Sequence, residues 1–90
     1  SQTDPTGRDR LKMVYDRWLE ILRDERQNLA EALPVAEADM RLDFYYAPDV
    51  YFSHVVDMIR AKSKILDREI NQYLPSLARQ ARLPESGVGR

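Results

Sequence analysis

The stretch from Phe52 to Leu77 constrains the fold most, because its apolar residues recur at helical spacing. On a helix these residues form one narrow stripe, which is interrupted only by Ser63. The stripe predicts a long amphipathic helix whose apolar side must pack against the rest of the chain. Its members are Phe52, Val55, Val56, Ile59, Leu66, Ile70, Tyr73, Leu74 and Leu77.

A first long helix is predicted before Pro34. Either Asp4 caps it with Pro5 in the first helical position, or Thr6 caps it with Asp9 three residues later. We expect the helix to end at Leu33, because Pro34 lacks an N–H donor and disfavours helical geometry in the preceding residue. Its apolar face comprises Leu11, Val14, Tyr15, Trp18, Ile21 and Leu22, with Leu19 at the edge, and resumes at Leu29, Ala32 and Leu33.

The segment between the two long helices has helical spacing of its own, so a short connecting helix is predicted there. Asp49 or Ser53 is the expected cap of the last long helix, and Leu74-Pro75 should end or kink it. The predicted helices cover about 8–33, 35–46, 50–74 and 76–82, within one domain over 9–83. Residues 1–8 are expected to be a flexible segment with the helix cap, and 84–90 a flexible tail.

The sequence therefore predicts an all-α fold, in the order long helix, short connecting helix, long helix. Two long helices and a short one cannot enclose a large core, so a helical hairpin or three-helix bundle is expected to pair into a four-helix-type dimer. A wide apolar face with a tryptophan also favours more than one neighbouring helix. The predicted oligomer core consists of Trp18, Leu22, Ile59 and Leu66.

Composition narrows the classes of function. The net charge of −1 argues against a nucleic-acid surface, which normally carries a basic excess. The absence of cysteine excludes disulfides and thiolate metal sites, and no run of apolar residues is long enough to span a membrane. The polar first residues, Ser1 to Gly7, lack the apolar core of a secretory signal, so a cytoplasmic protein is expected, without metal or cofactor.

Aromatic residues concentrate around Pro48, next to the predicted start of the last helix. Such a cluster can form an apolar pocket with polar hydroxyl rims for a ligand or a partner protein, or it can seal one end of a bundle. A ridge through His54, Met58 and Ile65 lies about a third of a turn from the main stripe. The predicted partner surface consists of Tyr45, Tyr46, Tyr51, Phe52, His54 and Met58.

Two further groups of polar residues are candidate sites, one for a metal or a base and one for a charged layer. His54 and Asp57 share a helix face, which permits a metal pair or an oriented base, but a lone histidine near a helix start is usually a surface residue. Glu25 and Arg26 interrupt the first apolar face. They mark either a helix end that extends into water or a charged layer that fixes the register of an oligomer.

These observations favour a non-enzymatic helical interaction module, a small accessory subunit or assembly factor that self-associates and binds a larger protein. The alternative is a small helical enzyme or ligand-binding bundle with polar residues in its core. In length and helix order the chain is similar to small all-helical chorismate mutases, which bind a dianion with arginines and a lysine in a dimeric bundle. Arg17 or Arg26 with Lys62 do not reproduce that family's spaced signature, so only the outline matches.

Overall fold

The protein is a hairpin of two long helical arms. The computed structural model describes the backbone over 5–46 and 51–84, and the side chains over 7–39 and 53–84. All regular structure in these ranges is helical, so the all-α prediction is confirmed. The first arm is helix α1, Pro5–Tyr46. The second arm consists of α2, Tyr51–Arg68, a π-helical turn, Glu69–Tyr73, and α3, Leu74–Gln80.

The predicted helix end at Pro34 is wrong, because α1 continues through this proline to Tyr46. Pro34 cannot donate to the carbonyl of Ala30, a loss that costs about 3 kcal/mol in a helix interior. Both residues are exposed, so this carbonyl lies where water can reach it. On the opposite side of the same turn, Leu33 and Ala36 pack against Val56 and Ile59 and hold the helix together. The predicted short connecting helix is therefore the last part of α1.

The two arms run antiparallel, as two ion pairs between them show. Arg26 Nε donates to Asp67 Oδ1 at 2.8 Å, and Arg60 Nη2 donates to Glu37 Oε2 at 2.8 Å. Residue numbers thus rise along α1 while they fall along the second arm. We call the height along the hairpin axis a level, and Arg26 and Asp67 lie at neighbouring levels of the two arms.

The core is the seam between the arms, and it has two clusters of buried residues. One cluster contains Leu19, Leu22, Leu66 and Leu74, and the other contains Ala36, Val56 and Ile59. Leu29 is half-buried and contacts both clusters, so the seam is continuous. Burial of each large side chain contributes roughly 1.5–3 kcal/mol, which makes this seam the main source of stability.

The sequence predicts that Leu74-Pro75 ends or kinks the helix. The helix does not end there, and a π turn precedes Pro75. The N–H of Leu74 bonds to the carbonyl of Glu69, five residues earlier. This turn inserts one extra residue and starts a new α-helical segment, so Pro75 falls in the first turn of α3. A proline is tolerated there, because the N–H groups of a first turn have no partner within the helix.

The extra residue changes which side chains of the second arm face α1. In an uninterrupted α-helix Tyr73 and Leu77 would continue the stripe that contains Ile59, Leu66 and Ile70. Instead Leu74 is buried and Ala78 is half-buried, while Tyr73 and Leu77 are exposed. The prediction that Tyr73 and Leu77 belong to the core stripe is therefore wrong, because the π turn shifts the register by one residue.

The second arm ends in a Schellman motif. The N–H of Leu83 bonds to the carbonyl of Ala78 at 2.9 Å, and that of Arg82 bonds to the carbonyl of Arg79 at 3.1 Å. Arg82 has φ 56°, a left-handed conformation that glycine adopts without steric cost. Pro84 follows directly and prevents any continuation of the helix.

Replacement of Arg82 by glycine should stabilise the protein by roughly 0.5–1 kcal/mol, because it removes the steric cost of the left-handed backbone. Arg79→Gly is the matched control, since it places glycine inside the last helical turn and should destabilise by a similar amount. The urea midpoint of unfolding measures both changes. Equal destabilisation by the two variants would contradict the assigned helix end.

Candidate functional site

The residues beside each buried position follow one rule. Among the described side chains seven residues are buried, and each is preceded by an apolar residue. Six of the seven are followed by a charged residue. The triplets are Trp18-Leu19-Glu20, Ile21-Leu22-Arg23, Val35-Ala36-Glu37, Val55-Val56-Asp57, Met58-Ile59-Arg60 and Ile65-Leu66-Asp67, with Tyr73-Leu74-Pro75 as the exception.

This rule gives the hairpin one apolar side and one charged side. A residue that precedes a buried one is rotated by about 100° about the helix axis, always in the same sense. Because the arms are antiparallel, that same rotation takes the preceding residues of both arms to the same side of the plane containing the two axes. The residues that follow, most of them charged, lie on the opposite side.

We call the first surface the apolar face. It consists of Val14, Trp18, Ile21 and Val35 from α1, and of Met58, Ile65, Tyr73 and Leu77 from the second arm. Every member is more than a third exposed, from Ile21 at 37% to Val14 at 65%. Leu11, 48% exposed, lies beside it near the start of α1. The face combines a tryptophan and a tyrosine, the residue types that contribute most to binding at protein interfaces.

Among the described side chains, the ion pairs of the charged side are partly or fully exposed. Lys12 bonds to Asp16 and Arg17 to Glu20 within α1, at one-turn spacings. One carboxylate oxygen of Asp16 is buried without a partner, while the other accepts from Lys12 Nζ at 2.6 Å. The open groove beside it is lined mainly by charged side chains of both signs, including Asp16, Arg17 and Arg23. These residues form a solvated surface rather than a converging catalytic group.

The predicted oligomer core is divided between two locations. Leu22, Ile59 and Leu66 are buried in the seam of the chain's own hairpin. Trp18 is 45% exposed, at the centre of the N-terminal half of the apolar face. Of the four residues, Trp18 is the one that retains substantial surface for a second chain.

The predicted polar layer is not enclosed. Glu25 is exposed, and Arg26 is half-buried and paired with Asp67 across the seam. His54 is exposed on α2. Within the described side chains no polar or charged residue is buried, and none of them form a group of three that could hold a metal ion. The candidate residues of a ligand-binding core are therefore surface residues here.

The predicted partner surface is only partly described. Met58 is 46% exposed on the apolar face, beside the exposed His54 one turn earlier. Tyr45, Tyr46, Tyr51 and Phe52 lie outside the residues whose side chains the structure describes. Their contribution to a partner surface stays a prediction.

Sequence reasoning missed the roles of Val35, Tyr73 and Leu77 on the apolar face. The triplet rule, an apolar residue before each core residue and a charged residue after it, was visible in the sequence and would have identified Val35. Tyr73 and Leu77 come to precede seam residues only because of the π turn, so periodicity alone placed them in the core. The predicted ridge through Met58 and Ile65 does belong to this face.

No protein-family model matches the chain, and the comparisons with curated proteins and with solved structures likewise give no match. The similarity in outline to chorismate mutases depended on a long–short–long helix order. The continuous α1 replaces that order by two long arms. None of the helices in the described part of the chain has both the length and the apolar character that crossing a membrane requires.

The Arg26–Asp67 pair should define the alignment of the arms rather than their stability. Its side chains are 35% and 48% exposed, and ion pairs of this kind contribute less than about 1 kcal/mol. We expect Asp67→Asn to lower the free energy of unfolding by that amount at most. Leu22→Ala, which removes a buried side chain at the neighbouring level, should lower it by about 2–5 kcal/mol. Urea denaturation of both variants checks the ranking, and a larger loss in Asp67→Asn would contradict it.

Proposed function

We propose that this chain is a non-enzymatic helical interaction module, a small accessory subunit or assembly factor that acts through helix packing and self-association. The observation that carries the proposal is the apolar face, which includes a half-exposed tryptophan and spans both arms. Exposed apolar surface that is extensive and bordered by charges is typical of protein interaction sites. Over the described ranges no helix beyond the two arms covers it.

The mechanism is helix packing onto the two-helix surface. Each arm presents apolar residues at intervals of three and four, as helices do when they dock against other helices. A second pair of helices laid on this face completes a four-helix bundle and removes Trp18, Tyr73 and Leu77 from water. The charged side of each hairpin then forms the outer surface of the assembly.

The alternative function, a small helical enzyme or ligand-binding bundle, would need polar groups directed into an enclosed site. Its candidates Glu25, Arg26 and His54 are exposed or half-exposed. We therefore prefer the interaction module. The cytoplasmic location and the contact with a larger protein through the aromatic segment stay predictions.

Replacement of Trp18 by alanine should weaken self-association by about 30-fold or more, because truncation of a buried tryptophan costs about 2 kcal/mol or more at an interface. Arg23→Ala, on the charged side of the same helix, is the matched control and should change the dissociation constant less than threefold. Sedimentation equilibrium measures both. Circular dichroism of the monomers shows whether either variant has lost helix. An unchanged dissociation constant for Trp18→Ala would overturn the proposed interface.

The second arm should contribute to the same interface. We expect Tyr73→Ala to weaken association at least tenfold, because the π turn places Tyr73 on the apolar face, 62% exposed. Gln72→Ala changes the neighbouring exposed residue and should leave the dissociation constant nearly unchanged. If the two variants associate equally well, the interface does not include the second arm.

A further inference from the structure

Three charged residues interrupt the apolar face near its middle. Glu25 precedes Arg26, Lys62 precedes Ser63 and Glu69 precedes Ile70, and the second residue of each pair is half-buried at the seam. Because each of them precedes a seam residue, these three charged residues lie on the same side of the hairpin as the apolar face. Any helix pair that covers the face must therefore accommodate two carboxylates and one ammonium group.

The levels of these charges follow from the Arg26–Asp67 contact. Glu25 is one residue before Arg26, and Glu69 is two residues after Asp67 on the antiparallel arm, so the two carboxylates lie at nearly the same level. Lys62 lies seven residues before Glu69, which is about 10 Å towards the connection between the arms. The face thus has an acidic level and a basic level, with Asn28 midway between them.

A second copy can cover the face with its arms in one of two orientations. If both hairpins point the same way, the residues at one level face the residues at that same level in the other copy. The four carboxylates of Glu25 and Glu69 then share one level, and the two Lys62 ammonium groups share the other. If the hairpins point in opposite directions about an axis at Asn28, Glu69 of each copy lies over Lys62 of the other, and Glu25 lies at the same level on the neighbouring arm. Like charges in contact are unfavourable and opposite charges favourable, so electrostatics selects the second orientation.

The apolar residues fit the same axis. Ile21 lies seven residues before Asn28 and Val35 lies seven residues after it, so the axis brings Ile21 of one copy over Val35 of the other. Tyr73 and Met58 lie at about these same levels on the second arm. Val35 and Met58 are 63% and 46% exposed, and they would be covered in this way.

We propose that a second copy of this chain docks antiparallel on the apolar face, with the twofold axis near Asn28, with Glu69 paired to Lys62 of the other copy and with Glu25 at the same level. This inference rests on the proposed self-association and specifies its geometry. The hairpin measures 64 × 22 × 18 Å, so its broad side is large enough for the roughly 800 Å² per partner that a stable interface buries. The net charge of −1 adds almost no repulsion between two copies.

Spin-label distances test the orientation, since the chain has no cysteine and a single one can be introduced at will. The substitutions Met13→Cys and Gln27→Cys provide the label sites. Both positions are exposed, and neither belongs to the apolar face. In the antiparallel dimer the two labels at 13 are separated by about 45 Å along the bundle, and those at 27 by about 3 Å along it. In a parallel dimer both positions would give the same short distance, set only by the thickness of the bundle.

Charge reversal tests the pairing. Lys62→Glu should weaken the dimer about tenfold, because at each of two levels it places a carboxylate opposite Glu69 and near Glu25. The triple variant Lys62→Glu, Glu25→Lys, Glu69→Lys restores opposite charges and should return the dissociation constant to within threefold of the original. In a parallel dimer every level would remain like-charged in both variants, so neither would differ much from the original chain.

The outcomes separate this inference from the proposed function. A long distance at 13 with a short one at 27, together with recovery in the triple variant, supports the antiparallel dimer. Equal distances at both positions, in a dimer that Trp18→Ala disrupts, overturn the orientation and leave the interaction module intact. A chain that stays monomeric at all concentrations overturns this inference together with the proposed self-association.

Discussion

Burial between two antiparallel helices is the constraint on which the rest of the structure depends. Each arm can bury one apolar stripe against the other, and the seven buried residues of the described side chains all lie in that seam. Each arm also carries a second stripe, one residue earlier, which the other arm cannot reach. The antiparallel course places these second stripes on one side, so a chain this small retains a broad apolar surface.

Two prolines inside helices show how packing overrides local preference. Pro34 faces outward and is retained in α1, because its neighbours are held in the seam. Pro75 is accommodated by the π turn, which makes it a first-turn residue of α3. That adjustment also places Leu74 in the core and Tyr73 on the surface. The π turn that accommodates Pro75 thereby adds Tyr73 to the apolar face, which is the surface that we propose for docking.

Much of the fold was predictable from the sequence. Helical periodicity gave the all-α class and the two long amphipathic segments, and the burial of Leu22, Ile59 and Leu66 follows from their places in those stripes. The end at Pro34 was not predictable from propensity, because the contacts of Ala36 with the second arm decide it. The exposure of Tyr73 was not predictable either, since one extra residue in a π turn leaves no periodic signal. The candidate site could not be predicted without the antiparallel course of the arms, because that course places two separate apolar stripes side by side.

The central claim is that the apolar face of one hairpin is covered by another chain, and the native mass measured over a range of concentrations tests it most directly. The single tryptophan lies on this face, so its emission reports coverage in the same samples. The account predicts a transition to twice the chain mass of 10.5 kDa, with a blue shift of Trp18 emission at the same concentrations. A monomer at every concentration, with Trp18 emission unchanged, would contradict it.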